Sequence, residues 1–145
     1  MIRQIHQPLI NEYWPRVLPL LQPAIDGRRV KSAEVRQWLL RGDFQLWVCG
    51  SVTEIKAVAV TAITIYPGSK WLTIVHCAGT DMPQWLDDGL DSLERFGIGA
   101  GCDGVEIIGR EEWGRVLEGF ETAGTLIQKR FMPNVSRETL AGAAQ

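Results

Sequence analysis

Residues 76–90 read HCAGTDMPQWLDDGL. The stretch starts at the end of an apolar run, WLTIVHCAG (71–79), crosses a glycine and a short polar turn, and then changes period. Upstream, β-branched and aromatic residues dominate, as in a strand. Downstream, Leu86, Leu90, Leu93 and Gly97 recur at i, i+4, i+7 and i+11, the spacing of one helix face. Asp87, Asp88, Asp91 and Glu94 fall mostly on the other side, as a wet face or a surface for a basic partner. GCDG (101–104) stops the helix, and VEIIG (105–109) reads as a buried strand. A helix between two strands of one sheet is a crossover, and crossovers are almost always right-handed. This junction therefore commits the chain to the α/β class, with a mixed sheet.

The remaining elements fall around it. FQLWVCG (44–50) and EIKAVAVTAITIY (54–66) flank the turn SVT, and YPGSK (66–70) places proline and glycine at the centre of a turn into 71–79. These strands make an antiparallel meander with the long β-branched one inside. IRQI (2–5) reads as a short first strand. In SAEVRQWLLRG (32–42), Ser32 is placed to cap a helix, Val35, Trp38 and Leu39 share a face, and Gly42 suits the stop. PLINEYWPRVLPLLQPAI (8–25) has helical apolar spacing, but Pro15, Pro19 and Pro23 predict a broken helix or two short ones. REEWGRVLEGF (110–120) reads as a short helix with Trp113, Val116, Leu117 and Phe120 inward, and TLIQKRF (125–131) as a closing strand. The expected architecture is a central twisted mixed sheet, an antiparallel meander plus one helix crossover, flanked by about four helices. One domain spans 1–133, and 134–145 is a tail in which Ser136 is placed to cap one helical turn.

Composition excludes several function classes. The chain has 145 residues, 46% hydrophobic and 22% charged, with a net charge of −2. With pI near 5.7 there is no basic field for nucleic acid. No apolar run reaches the ~18 residues of a membrane helix. MIRQIHQPL (1–9) lacks the apolar centre of a signal peptide, so the protein is expected to stay in a reducing cytosol or to leave the cell by lysis. Cys49, Cys77 and Cys102 are odd in number, lack a C-x-x-C spacing, and read as small buried hydrophobes rather than disulfides or metal ligands. With only His6 and His76, no metal site is expected. Trp14, Trp38, Trp47, Trp71, Trp85 and Trp113 are spread over every element, which suits one aromatic core.

The element order resembles the GNAT acyltransferase fold over nearly the whole chain. GVEIIG (104–109) with VLEGFETAGTLIQKRF (116–131) resembles that family's strand, short helix, Gly-Phe pair at Gly119 and Phe120, and final strand. FGIGAGCDGVEIIGREEWGRVLEGF (96–120) and LRGDFQLWV (40–48) are similar to small GNAT-like proteins of tailed phages, some of them virion or assembly proteins. The resemblance implies coenzyme A in a wedge between the fourth and fifth strands. It implies a Q/R-x-x-G-x-G/A loop whose amides hold the pyrophosphate. It also implies an acid or water on the sheet as base and a tyrosine on the last helix as proton donor.

Against that pattern the loop here is GTDMPQ (79–84), with one glycine and no Arg or Gln at the first position. Pro83 removes an amide donor, and Asp81 either caps the helix or repels the pyrophosphate. At ~5 Å two unit charges repel by about 3 kcal/mol at an effective dielectric of 20, roughly a hundredfold in affinity. Thr80 as the cap softens the objection without removing it. GIGAG (97–101) falls at a helix end, where the dipole disfavours anions, and reads as a stop. Five residues before Phe120, where the family often places tyrosine, stands Arg115, which cannot serve as a general acid. The tyrosines, Tyr13 and Tyr66, are elsewhere.

Two candidate bases remain. Glu106 inside VEIIG either takes a proton or pairs with Arg110 or Arg115. His76 lies close to the wedge, as a base or as a hydrogen-bonded core or edge histidine. GRRVK (27–31), with Arg36 and Arg41, suits an anion, an acidic partner or plain solvent.

Two functions compete. In one, the protein has lost the chemistry, needs no cofactor, and binds other proteins or a second copy of itself as a phage virion or assembly component. In the other, it is an acetyl-CoA-dependent N-acetyltransferase acting on an amine, with Glu106 or His76 as base and the amides of Ala78, Gly79, Thr80 and Asp81 at the cofactor. Neither calls for nucleic acid or a membrane.

Overall fold

The computed structural model describes residues 2–25, 30–51, 53–80, 82–107 and 129. In chain order these form β1 (Ile2–Ile5), a 3₁₀ turn (Gln7–Leu9), α1 (Ile10–Ile25), α2 (Ser32–Arg41), β2 (Phe44–Gly50), β3 (Ile55–Tyr66), β4 (Ser69–Gly79), α3 (Met82–Gly99) and β5 (Gly104–Ile107). The strands lie side by side in sequence order. The first four pair antiparallel, and β5 adds parallel to β4, with α3 as the crossover. The expected α/β mixed sheet with an antiparallel meander is therefore present. The helix expected at 110–120, the strand at 125–131 apart from the single residue Lys129, and the tail lie outside the described residues.

Strand pleating splits the core into two layers. Leu46, Val48, Val58 and Val60 pack on α1 and α2. Trp47, Ala57, Ala59, Leu72 and Ile74 pack on the α3 side. β3 is buried on both faces from Ala57 to Thr61, which suits the apolar run AVAV there. The tryptophans follow this split rather than forming the expected single aromatic core. Trp14 belongs to one layer, Trp47 and Trp85 to the other. Trp38 is exposed, edge-on to Phe44 at 4.7 Å. The cysteines are half-buried rather than fully buried.

α1 corrects the expectation of a broken helix, because it runs unbroken through Pro15, Pro19 and Pro23. These prolines stand four apart on its exposed side. The carbonyls they deprive of a donor, those of Asn11, Pro15 and Pro19, lie on that same side, within reach of water. The opposite stripe, Ile10, Trp14, Val17, Leu21 and Ile25, is buried. Each such side chain contributes about 1.5–3 kcal/mol, comparable to the ~3 kcal/mol of one interior proline. The five buried side chains offset a cost of the same order from the three prolines.

α2 begins one residue earlier than Ser32 implied. Lys31 is the cap, and its carbonyl accepts the N–H groups of Glu34 and Val35 at 3.0 and 3.1 Å. Its backbone geometry suffices, and no side chain caps the helix. Gly42 ends α2 at φ 84°, as expected. Gly101 (φ 81°) and the Cys102 N–H bonded to the Gly97 carbonyl at 2.8 Å end α3, so GIGAG is a stop.

The buried face of α3 runs through Trp85, Gly89, Leu93 and Gly97 with Leu90 packed against the same layer, so the expected face holds at Leu90, Leu93 and Gly97. The side chains of Leu86, Asp87 and Asp88 lie outside the described residues, while Asp91 and Glu94 are exposed. Gly89 lets α3 approach β1, since a Cβ there would lie 2.5 Å from Ile2 Cγ2. We expect Gly89→Ala to lower stability by about 1–3 kcal/mol in urea titrations. In an Ile2→Ala background, which removes Cγ2, that penalty should shrink.

Candidate functional site

The β3–β4 ladder slips by one residue. Val60 pairs with His76 and Thr61 with Ile74, so Val75 has no partner and forms a bulge. Val75 packs with the α1/α2 layer, and His76 stands opposite Val60 of that layer. Ile74 and Cys77 pack on the α3 layer. Thr73, between Leu72 and Ile74, therefore shares the α1/α2 face with His76. On β5, Val105 and Ile107 pack on the α3 layer, which leaves Glu106 on the α1/α2 face, in register with Thr73. Both candidate bases thus occupy one face. His76 lies three residues beyond Thr73 along β4, roughly 10 Å at ~3.3 Å per residue.

Glu106 is half-buried and its Oε1 accepts two hydrogen bonds, from Tyr66 Oη and Thr73 Oγ1, each at 2.7 Å. Thr73 gives its only proton to the carboxylate, so the 2.6 Å contact between Thr64 and Thr73 hydroxyls must be donated by Thr64. The result is a directed chain, Thr64 to Thr73 to Glu106, with Tyr66 donating from the other side. The expected pairing with Arg110 or Arg115 lies outside the described residues. The hydrogen bond to Glu106, then burial and the carboxylate's charge, push the Tyr66 phenol above its ordinary 10.0. Sequence reasoning missed Tyr66, Thr64 and Thr73. Their alternation on β3 and β4 was readable, but the register that brings them to Glu106 was not.

The cofactor junction is tight. β4 stays paired with β3 through Gly79, opposite Ala57, and the Thr80 N–H continues the ladder to the Lys56 carbonyl at 3.2 Å. Gly79 sits at φ 134°, where a Cβ would meet Lys56 O at 2.4 Å. Only Thr80 and Asp81 separate β4 from α3, and Pro83, its second residue, has no N–H. Of the amides named for the cofactor, Thr80's is already engaged, Ala78 stands opposite Val58, Gly79 lies next to the bonded Thr80–Lys56 pair and turns its N–H away from β3, and Asp81 lies outside the described residues. Among the described residues β4 extends past its last β5 partner at Ile74, from Val75 to Gly79.

Burial pushes the Cys77 thiol up to about 11, so it rests protonated at neutral pH. Among the described residues no group of His, Cys, Asp and Glu could hold a metal ion, and no helix is long and apolar enough to cross a membrane.

No family model and no curated protein matches the chain. Solved structures do. An aminoglycoside acetyltransferase from an uncultured soil metagenomic sample is similar at TM-score 0.65 and 11% identity, over 91% of this chain and 95% of that one. A GNAT family acetyltransferase from Staphylococcus aureus is similar at TM-score 0.59 and 11% identity, over 90% and 98%. An aminoglycoside N-acetyltransferase in complex with CoA is similar at TM-score 0.60 and 16% identity, over 90% and 93%. The fold is therefore that of the GNAT acetyltransferases. Fold does not fix chemistry, which rests on the site.

The Tyr66–Glu106 bond has a pH signature. A phenol whose folded pKa is raised contributes stability that is complete below its unfolded pKa of 10.0 and is lost as pH rises through the folded value. In a Tyr13→Phe background, ultraviolet titration of the remaining tyrosine should show ionisation above 10.0, and Glu106→Ala should bring it down.

Proposed function

We propose that this GNAT-fold chain works by binding other proteins, as a phage virion or assembly component, and that its coenzyme seat is too altered to hold the nucleotide. The observation that carries this reading is the Thr80 N–H bound to the Lys56 carbonyl across a junction of two residues. A pyrophosphate needs several converging N–H groups. Here one is engaged, Pro83 supplies none, and Asp81 adds a like charge. The phage assignment rests on the sequence resemblance at 40–48 and 96–120. Exposed apolar side chains support a binding role: Ile65 and Ile98 are 77% and 74% exposed. Lys70, opposite Ile65, reaches the Ala100 carbonyl at 2.6 Å, which puts both isoleucines at one end of the molecule.

The second reading, acetyl transfer from acetyl-CoA to an amine, is favoured by the Thr64–Thr73–Glu106–Tyr66 chain. It offers a carboxylate to take the amine proton and a phenol to supply one. Under that reading Glu106→Gln abolishes turnover.

Thermal denaturation with acetyl-CoA separates the two. A ligand at a hundred times its Kd adds about 2.7 kcal/mol. We expect no change in Tm at millimolar acetyl-CoA, and no turnover with a panel of amines. A clear upward shift would move the assignment to the enzyme. The virion role stands or falls on detecting the chain by mass spectrometry in purified particles.

A further inference from the structure

The Glu106 carboxylate has no cation beside it among the described residues, where the ion pair is Arg41 with Asp43. Both hydrogen bonds it accepts, from Tyr66 Oη and Thr73 Oγ1, fall on Oε1. Oε2, on the same carbon, takes none among the described residues.

The protons around this carboxylate all point inward. Thr64 donates to Thr73, and Thr73 and Tyr66 donate to Oε1. Trp71, paired with Thr64 on one side and Gly104 on the other, is also committed. Its Nε1 donates to Ser69 Oγ at 2.9 Å, and its ring lies over Gly104, where a Cβ would come within 2.5 Å of Cζ3. With these protons engaged, Glu106 Oε2, Tyr66 Oη and Thr64 Oγ1 are left with lone pairs only. Such a surface takes a donor, and its one formal charge calls for a cation.

Two features select a guanidinium over an ammonium. Glu106 is half-buried, so its partner must shed water, and a guanidinium is the more weakly hydrated of the two. The Tyr66 side chain is 42% exposed beside the carboxylate and offers an aromatic face on which a guanidinium packs. The chain makes that contact elsewhere, with Arg16 over Tyr13 at 4.5 Å and Arg41 over Trp38 at 5.9 Å.

We propose that this patch docks an arginine side chain of a partner protein, which donates to Glu106 Oε2 and lies along the Tyr66 ring. The proposal rests on the binding reading and gives its partner a chemistry.

The test uses the full chain, isotope-labelled and followed by NMR, titrated with the peptide acetyl-Gly-Arg-Gly-amide. The same peptide carrying lysine or citrulline (neutral, same shape) in place of arginine serves as control. We expect saturable shifts of the Thr73 and Glu106 amides with the arginine peptide and weaker binding of both controls. Glu106→Gln keeps the shape and removes the charge, and should weaken binding about tenfold. Tyr66→Leu removes the ring at an exposed position, should weaken binding about threefold, and decides the matter if Glu106→Gln fails to fold. Three results would overturn the proposal: no saturable shift at millimolar arginine peptide, either control binding as well as arginine, or variants that bind as the wild type does. A Tm shift with acetyl-CoA overturns the binding reading and this proposal with it. Failure here without such a shift overturns the arginine partner alone.

Discussion

The register of the β3–β4 hairpin is the constraint on which everything else depends. Tyr66 pairs with Ser69 across Pro67–Gly68, and each pair beyond follows from that turn until the slip at Val75. A one-residue change of register would exchange the layers, sending Val58 and Val60 toward α3 and Ala57 and Ala59 toward α1. The slip itself is what brings Val75 and His76 to one side. Lys70 and Asp103 then hold β5 to this frame, through a backbone bond of 2.6 Å and a carboxylate bond of 2.9 Å.

On that frame the two ends of β4 differ in character. Near the hairpin, hydroxyls and a carboxylate from neighbouring strands are joined in a directed network. Near Gly79 the Thr80 N–H bonds to the Lys56 carbonyl, and among the described residues Val75 to Gly79 run past the last β5 partner. The fold's likeness to acetyltransferases does not settle the chemistry, which rests on the site.

Much of the fold was legible in the residues. β3 and β4 announced themselves through long β-branched runs, and the switch of period after Gly79 located the crossover helix. Gly42 and Gly101 marked helix ends correctly because a left-handed residue is needed there and glycine adopts it readily. Other features depend on three-dimensional context. Ser32 looked like a cap, yet Lys31 serves through backbone geometry alone. The α3 face was read from Leu90, Leu93 and Gly97, but the close approach of β1 that requires Gly89 was not visible in the spacing. Glu106 was singled out as a polar residue in an apolar strand, but Tyr66 lies 40 residues away and no spacing rule links them.

The prolines of α1 bear on the order in which the molecule assembles. A segment that forgoes three backbone bonds nucleates poorly by itself, since helix initiation is already unfavourable. Its formation is therefore tied to the surface it covers, Val58, Val60 and their neighbours on the meander. The sheet is thus the template against which α1 is held in helical form.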